Sequence, residues 1–98
     1  MSDAPEVDVD DDDIEYDDDM TAAEAVLTHI LEHLVDDEDA IEIEVDQNDR
    51  EIRFVARVDK ADMGRVIGRR GRVAQAIREL VRAAASRDGL DADVDFAD

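Results

Sequence analysis

Val-Ile-Gly-Arg-Arg-Gly-Arg, at residues 66–72, constrains the structure of this chain more than any other segment. Two glycines bracket two arginines, between a short apolar segment and the start of an amphipathic helix. Glycine has no Cβ, so another backbone can approach such a turn closely. The helix that follows begins with unsatisfied N–H groups and the positive end of its dipole. The segment therefore predicts a turn between two helices that can bind an anion.

Hydrophobic periodicity on both sides of this turn predicts the remaining elements. In chain order they are a helix over 21–35, strands over 41–46 and 52–58, helices over 60–67 and 72–87, and a strand over 92–96. A turn over 47–50 joins the first two strands. The order α-β-β-α-α-β predicts a two-layer α+β domain with three helices on one face of a three-stranded sheet.

The two longer helices carry end signals and apolar faces. Thr21 and Glu24 form a capping box at the start of the first, and Asp88-Gly89 predicts the end of the last. The first helix is predicted to bury Ala23, Val26, Leu27, Ile30, Leu31 and Leu34. The last helix is predicted to bury Val73, Ala76, Ile77, Leu80, Val81 and Ala84.

In the strands, apolar and charged residues alternate, which predicts one buried and one exposed face. The buried face is predicted to carry Ile41, Ile43, Val45, Ile52, Phe54, Ala56, Val58, Ala92, Val94 and Phe96. The exposed face carries the acidic residues Glu42, Glu44, Asp46, Asp93 and Asp95, and the second strand adds Arg53 and Arg57. We expect opposite charges to face each other across the hairpin, at about 0.2–1 kcal/mol per pair.

The net charge of −19 is unevenly distributed along the 98 residues. Residues 1–19 contain eleven acidic residues, no basic ones and few apolar ones, so residues 1–20 are predicted to form an acidic, disordered leader. Between Lys60 and Arg87, eight basic residues stand against two acidic ones, a local charge of +6. An anionic ligand is therefore expected at this basic segment.

Composition excludes several classes of function. There is no cysteine, and hence no disulfide, thiol nucleophile or cysteine-based zinc site. No apolar run reaches membrane-spanning length and no signal peptide is recognisable, so we expect a cytoplasmic protein with no membrane partner. A single domain of this length has little room for a deep active site, and we predict no catalytic residue, no cofactor and no enzyme activity.

His29-Ile30-Leu31-Glu32-His33 matches the H-x-x-E-H pattern of inverzincins. Two histidines four residues apart on a helix can share a zinc ion. A third ligand and a substrate cleft are also required, and so small a domain offers little room for either. We therefore expect surface histidines and no metal site.

The glycine turn and its flanks resemble a KH domain, in which such a loop clamps nucleotides. Residues 63–78, Met-Gly-Arg-Val-Ile-Gly-Arg-Arg-Gly-Arg-Val-Ala-Gln-Ala-Ile-Arg, are similar to the signature of small stand-alone bacterial KH proteins, the KhpA family. The resemblance covers the type II KH arrangement and predicts a KH domain over 21–97. The acidic leader departs from the family's compact form. The alternative is a purely structural turn, but such a turn does not need arginines at both central positions.

The resemblance implies a protein that binds single-stranded RNA and acts as an RNA chaperone or in post-transcriptional control. Its implied partner is a second KH protein, KhpB-like, or a second copy of the chain. The loop would clamp the RNA backbone, its arginines would supply charge, and neighbouring apolar side chains would line a groove for bases. The predicted RNA-binding residues are Arg65, Val66, Ile67, Gly68, Arg69, Arg70, Gly71, Arg72 and Val73. Arg78 and Arg82 fit either a binding row or a solvated helix face.

Two other functions compete with this one. An RRM module stacks bases on sheet aromatics, but Phe54 and Phe96 are predicted on the buried face and the exposed face is acidic. A protein-interaction subunit is the stronger alternative, with a KH fold that mainly mediates dimerisation and only secondary contact with RNA. Dimerisation would strengthen binding by a small domain through effective concentration.

We predict that deleting residues 1–19 raises the affinity for single-stranded RNA, most at low salt. The leader carries −11 beside a segment of +6, and tethering keeps its local concentration high. Salt screens both the attraction of the leader to the arginines and its repulsion of RNA, so the effect should be largest at low salt. Titrating labelled RNA with full-length and truncated protein at low and high salt measures the effect. Equal affinities at low salt would show that the leader is only a solubilising tail.

Overall fold

The computed structural model describes residues 20–98 of the chain. Except for Met20, the leader predicted for residues 1–20 lies outside this range. The helices are α1 (Ala22–Leu34), α2 (Met63–Ile67) and α3 (Arg72–Arg87), and the strands are β1 (Glu42–Asn48), β2 (Glu51–Arg57) and β3 (Asp91–Ala97). Short 3₁₀ turns lie at Glu38–Ala40, Lys60–Asp62 and Arg69–Gly71. The predicted α+β class and element order are confirmed.

The three strands form one mixed sheet in the order β1-β2-β3. β1 and β2 pair antiparallel through a two-residue turn at Asp49 and Arg50, with Asp49 at φ 59°. β3 runs parallel to β2, from Glu51 opposite Asp91 to Arg57 opposite Ala97. Parallel strands require a crossover connection. Here α2 and α3 provide it, so the glycine turn lies within the crossover.

The start of α1 and the end of α3 have the structures that the sequence predicts. The Thr21 side chain accepts a hydrogen bond from the Glu24 N–H at 3.1 Å and caps α1. At the end of α3, the N–H groups of Gly89 and Leu90 donate to the carbonyls of Ser86 and Ala85, both at 3.0 Å. These two bonds form a Schellman motif, which turns the chain into β3.

The core lies between the sheet and the helix layer. Its largest fully buried side chains are Phe54, Leu27, Leu31, Ile52, Val66, Val81 and Val94. Three residues predicted to be buried are exposed: Val45 and Leu80, with 42% and 55% of their surface accessible, and Ala76. Val45 lies on the edge strand β1, which has no fully buried side chain. On α3 the buried face is instead Ala74, Ile77, Val81 and Ala85, rotated from the predicted one.

The predicted charge pairing across the hairpin is confirmed at one position. Arg57 Nε lies 3.2 Å from Glu44 Oε2, between β2 and β1. Arg53 turns to the other neighbour, with its Nη2 3.2 Å from Asp95 Oδ2 on β3. Each helix within residues 20–98 is too short or too polar to cross a lipid bilayer.

We predict that Val94→Ala lowers the free energy of unfolding by about 2–3 kcal/mol, because it removes buried methyl groups and leaves a cavity. Val94 is 0% exposed. The matched control is Val45→Ala, which makes the same deletion at the exposed edge and should cost less than about 1 kcal/mol. Urea denaturation measures both variants. Equal losses would contradict the placement of the core.

Candidate nucleic-acid interface

Gly68 joins α2 to the loop in a conformation that other residues rarely adopt, with φ 76° and ψ 172°. A Cβ at this position would lie 2.4 Å from Val73 Cγ2 and 2.9 Å from the Val73 backbone nitrogen. Atoms at these distances overlap, and the backbone nitrogen of α3 cannot move aside. Glycine is therefore required here both by its backbone angles and by the close approach of α3.

The next residues form a tight turn that presents its side chains to solvent. Arg70 (φ 60°, ψ 23°) and Gly71 (φ 74°, ψ 16°) are consecutive left-handed residues, which for the arginine costs roughly 1 kcal/mol. The Gly71 N–H donates to the Gly68 carbonyl at 3.1 Å, and the Arg72 N–H donates to the Arg69 carbonyl. These bonds close the turn, and the side chains of Arg69 and Arg70 lie at its exposed tip.

The ion pairs distinguish the arginines of the loop from most of the others. Arg53, Arg57, Arg65 and Arg82 pair with carboxylates, and Arg78 donates to a backbone carbonyl. Within residues 20–98, Arg69, Arg70 and Arg72 have no ion pair, and the same holds for Arg50, Lys60 and Arg87. Half of the unpaired cations therefore lie within four consecutive residues at the loop.

The apolar residues predicted for the groove have different accessibilities. Val66 is 0% exposed and belongs to the core, so it supports the loop from beneath. Ile67 and Val73 are half-buried and keep accessible surface on either side of the loop. Gly64, one turn earlier on α2, is exposed, and a Cβ added to it would meet nothing within 4 Å. The surface of α2 beside the loop is therefore open.

Arg65 pairs with the carboxylates of Asp36 and Asp62, and the sequence pattern predicts no such role for Asp62. Its Nη1 lies 3.0 Å from Asp36 Oδ1, and its Nε lies 3.9 Å from Asp62 Oδ1. Asp62 is 3% exposed and is the buried charged residue of the described chain. An aspartate directly before a helix usually signals a cap, which gives no indication of the distant contacts it makes here.

The positions of Arg78 and Arg82 answer the question that the sequence left open. Arg78 Nε donates to the Val94 carbonyl at 3.0 Å, and its guanidinium lies 5.6 Å from the centroid of the Phe96 ring. Arg82 Nη2 lies 3.8 Å from Asp93 Oδ1. Both arginines have partners on β3 and therefore do not belong to the group of unpaired cations.

The two histidines of the H-x-x-E-H pattern lie beside each other on α1, with their rings tilted by 47°. Their ring centroids are 4.3 Å apart, and His33 Nδ1 lies 2.9 Å from the His29 carbonyl oxygen. Among residues 20–98, no three His, Cys, Asp or Glu side chains converge as a metal ion would require.

Known proteins resemble the chain over the region that contains this loop. The family model described as KhpA/KhpB, KH domain, matches residues 24–96. RNA-binding protein KhpA of Leifsonia xyli is 42% identical over 72 residues, which cover 74% of this chain and 92% of that protein. RNA-binding protein KhpA of Caldanaerobacter subterraneus is 46% identical over 59 residues, or 60% of this chain and 79% of that protein. No solved structure matches the chain.

The relatives are named as RNA-binding proteins, and the family is not one of enzymes. Its model covers most of the chain, from the first turn of α1 to the next-to-last residue of β3, and includes the glycine loop between α2 and α3. The α-β-β-α-α-β order agrees with a type II KH fold. The chain therefore belongs to the KhpA/KhpB family of KH-domain proteins.

Proposed function

We propose that this chain binds single-stranded RNA by clamping the phosphate backbone with the loop Gly68–Gly71. The observation that carries the proposal is the unpaired state of Arg69, Arg70 and Arg72, while carboxylates neutralise the arginines of the sheet. The curated relatives named RNA-binding protein KhpA support RNA as the ligand. The KH domain is proposed to span residues 21–97, with residues 1–20 as its leader.

The surface around the loop supports the same ligand. Ile67 and Val73 offer apolar contact for bases, and the open backbone at Gly64 leaves room for a nucleotide beside α2. The opposite, open face of the sheet carries exposed carboxylates on β1 and β3. These would repel RNA, so the loop side is the favourable side for approach. In this proposal Val66 acts from the core and the remaining predicted residues act at the surface.

The proposed cellular role follows the resemblance. The chain would act in the cytoplasm as an RNA chaperone or post-transcriptional regulator, together with a KhpB-like KH protein or a second copy of itself. A loop of four residues contacts few nucleotides, so a second KH domain would raise affinity through effective concentration.

We predict that Arg69→Asp/Arg70→Asp lowers RNA affinity at least about 100-fold, because each charge-assisted hydrogen bond contributes about 1.5–3 kcal/mol. Both side chains are exposed, so the fold should persist. Fluorescence anisotropy with a labelled single-stranded RNA measures the loss, and circular dichroism checks the fold.

The matched control is Arg50→Asp/Arg87→Asp, which changes the net charge equally at the other end of the domain. Arg87 ends α3, about 24 Å from the loop at 1.5 Å per residue over 16 residues. This control should retain most of the affinity. Unchanged binding by the loop variant, or equal losses in the two variants, would refute binding by the loop.

A second candidate function, as a dimerising interaction subunit, is favoured by one surface of α3. Leu80 is 55% exposed at the middle of this helix, and Ala76 and Ala83, four residues before and three after it, are also exposed. These three residues form an uncharged stripe along one side of α3. Small residues on either side of a leucine allow another helix to approach closely.

We predict that Leu80→Glu converts a dimer into a monomer without unfolding the domain, because a carboxylate would have to be buried in the contact. Sedimentation velocity over a range of concentrations measures the oligomeric state, alone and with a KH partner protein. Ser86→Glu is the control, since it adds the same charge to an exposed position of α3 outside the stripe. If the wild-type chain stays monomeric and does not bind the partner protein, the dimerising function is contradicted.

A further inference from the structure

Asp62 occupies the position directly before α2, but its side chain does not cap that helix. Its Oδ1 accepts a hydrogen bond from the Asp36 N–H, and its Oδ2 accepts one from the Asp37 N–H, both at 3.2 Å. Asp36 and Asp37 follow α1, more than twenty residues earlier in the chain. The buried carboxylate therefore connects the start of α2 to the segment that leaves α1, in place of a local cap.

Arg65 completes this connection one turn later. Its guanidinium contacts Asp36 Oδ1 at 3.0 Å, while its Nε lies 3.9 Å from Asp62 Oδ1. The planar, rigid guanidinium suits a bridge between two carboxylates that a flexible ammonium would hold less well. An exposed ion pair by itself contributes little. Asp62, however, is buried, and a buried charge that loses its partner is costly.

We infer that Arg65 is a positioning residue of the RNA-binding loop and not one of its phosphate ligands. By holding Asp36 and Asp62, it fixes α2 against the end of α1 and so sets the position from which Gly68–Gly71 projects. It also neutralises two carboxylates close to the bound RNA. This inference rests on the proposed function of the loop.

The substitution Asp36→Asn changes RNA affinity in opposite directions depending on whether Arg65 is a phosphate ligand or a positioning residue. If Arg65 is a phosphate ligand partly sequestered by Asp36, the substitution frees it and removes a negative charge, so RNA affinity rises. If Arg65 positions the loop through Asp36, the substitution weakens the connection and affinity falls, by about three- to fivefold for an ion pair of up to about 1 kcal/mol. The Asp36 side chain is 73% exposed, so the variant should fold.

The matched control is Asp39→Asn, which removes the same charge from an exposed residue of the same segment. Asp39 has no ion pair within residues 20–98. This control should leave RNA affinity unchanged or raise it slightly. In an Arg65→Gln background, Asp36→Asn should have no further effect, because the two side chains act through each other.

Amide hydrogen exchange supplies a measurement that does not depend on RNA. Exchange in Met63–Ile67 should accelerate in Asp36→Asn and stay unchanged in Asp39→Asn. If Arg69→Asp/Arg70→Asp leaves RNA binding intact, the proposed function of the loop is wrong. Hydrogen exchange in Asp36→Asn then still tests whether Arg65 positions α2. A rise in RNA affinity in Asp36→Asn, or unaltered exchange in α2, would overturn the inference.

Discussion

The close contact between Gly68 and Val73 is the constraint on which the rest of the site depends. Without a Cβ on Gly68, the start of α3 can lie against the end of α2, and the chain must then reverse within three residues. That reversal places Arg70 and Gly71 in left-handed conformations and leaves the arginine side chains outside. Val66, two residues before Gly68, lies in the core. Packing and exposure of charge at the loop thus have a single origin.

Pairing of charges, more than their number, determines what this acidic chain can bind. Arg53 and Arg57 of β2 pair with carboxylates of β3 and β1, and on α3 Arg78 and Arg82 contact the backbone and a carboxylate of β3. These four arginines therefore contribute to the fold. Where no carboxylate lies within reach, as at the loop tip, the positive charge remains available to a ligand. A total of −19 therefore does not describe the local field at the glycine turn.

Local signals predicted the element order, the Thr21 cap, the glycine loop and the end of α3, because each depends on residues only a few positions apart. The predicted burial of Leu80 and Ala76 was wrong. α3 has apolar residues on more than one side, and periodicity does not tell which side packs against the sheet. The Arg65 and Asp62 contacts span up to 29 residues. Only the packing of α1 beside α2 brings these partners together.

The two edges of the sheet are protected by opposite chemistry. At β3, the carbonyl of Val94 is already occupied by Arg78, and Arg82 lies over Asp93. At β1, successive carboxylates of Glu42, Glu44 and Asp46 stand along the rim. A free edge is the template on which sheets of different molecules grow into aggregates, and charged or occupied edges prevent such growth. These features disfavour edge-to-edge pairing between the sheets of two folded molecules.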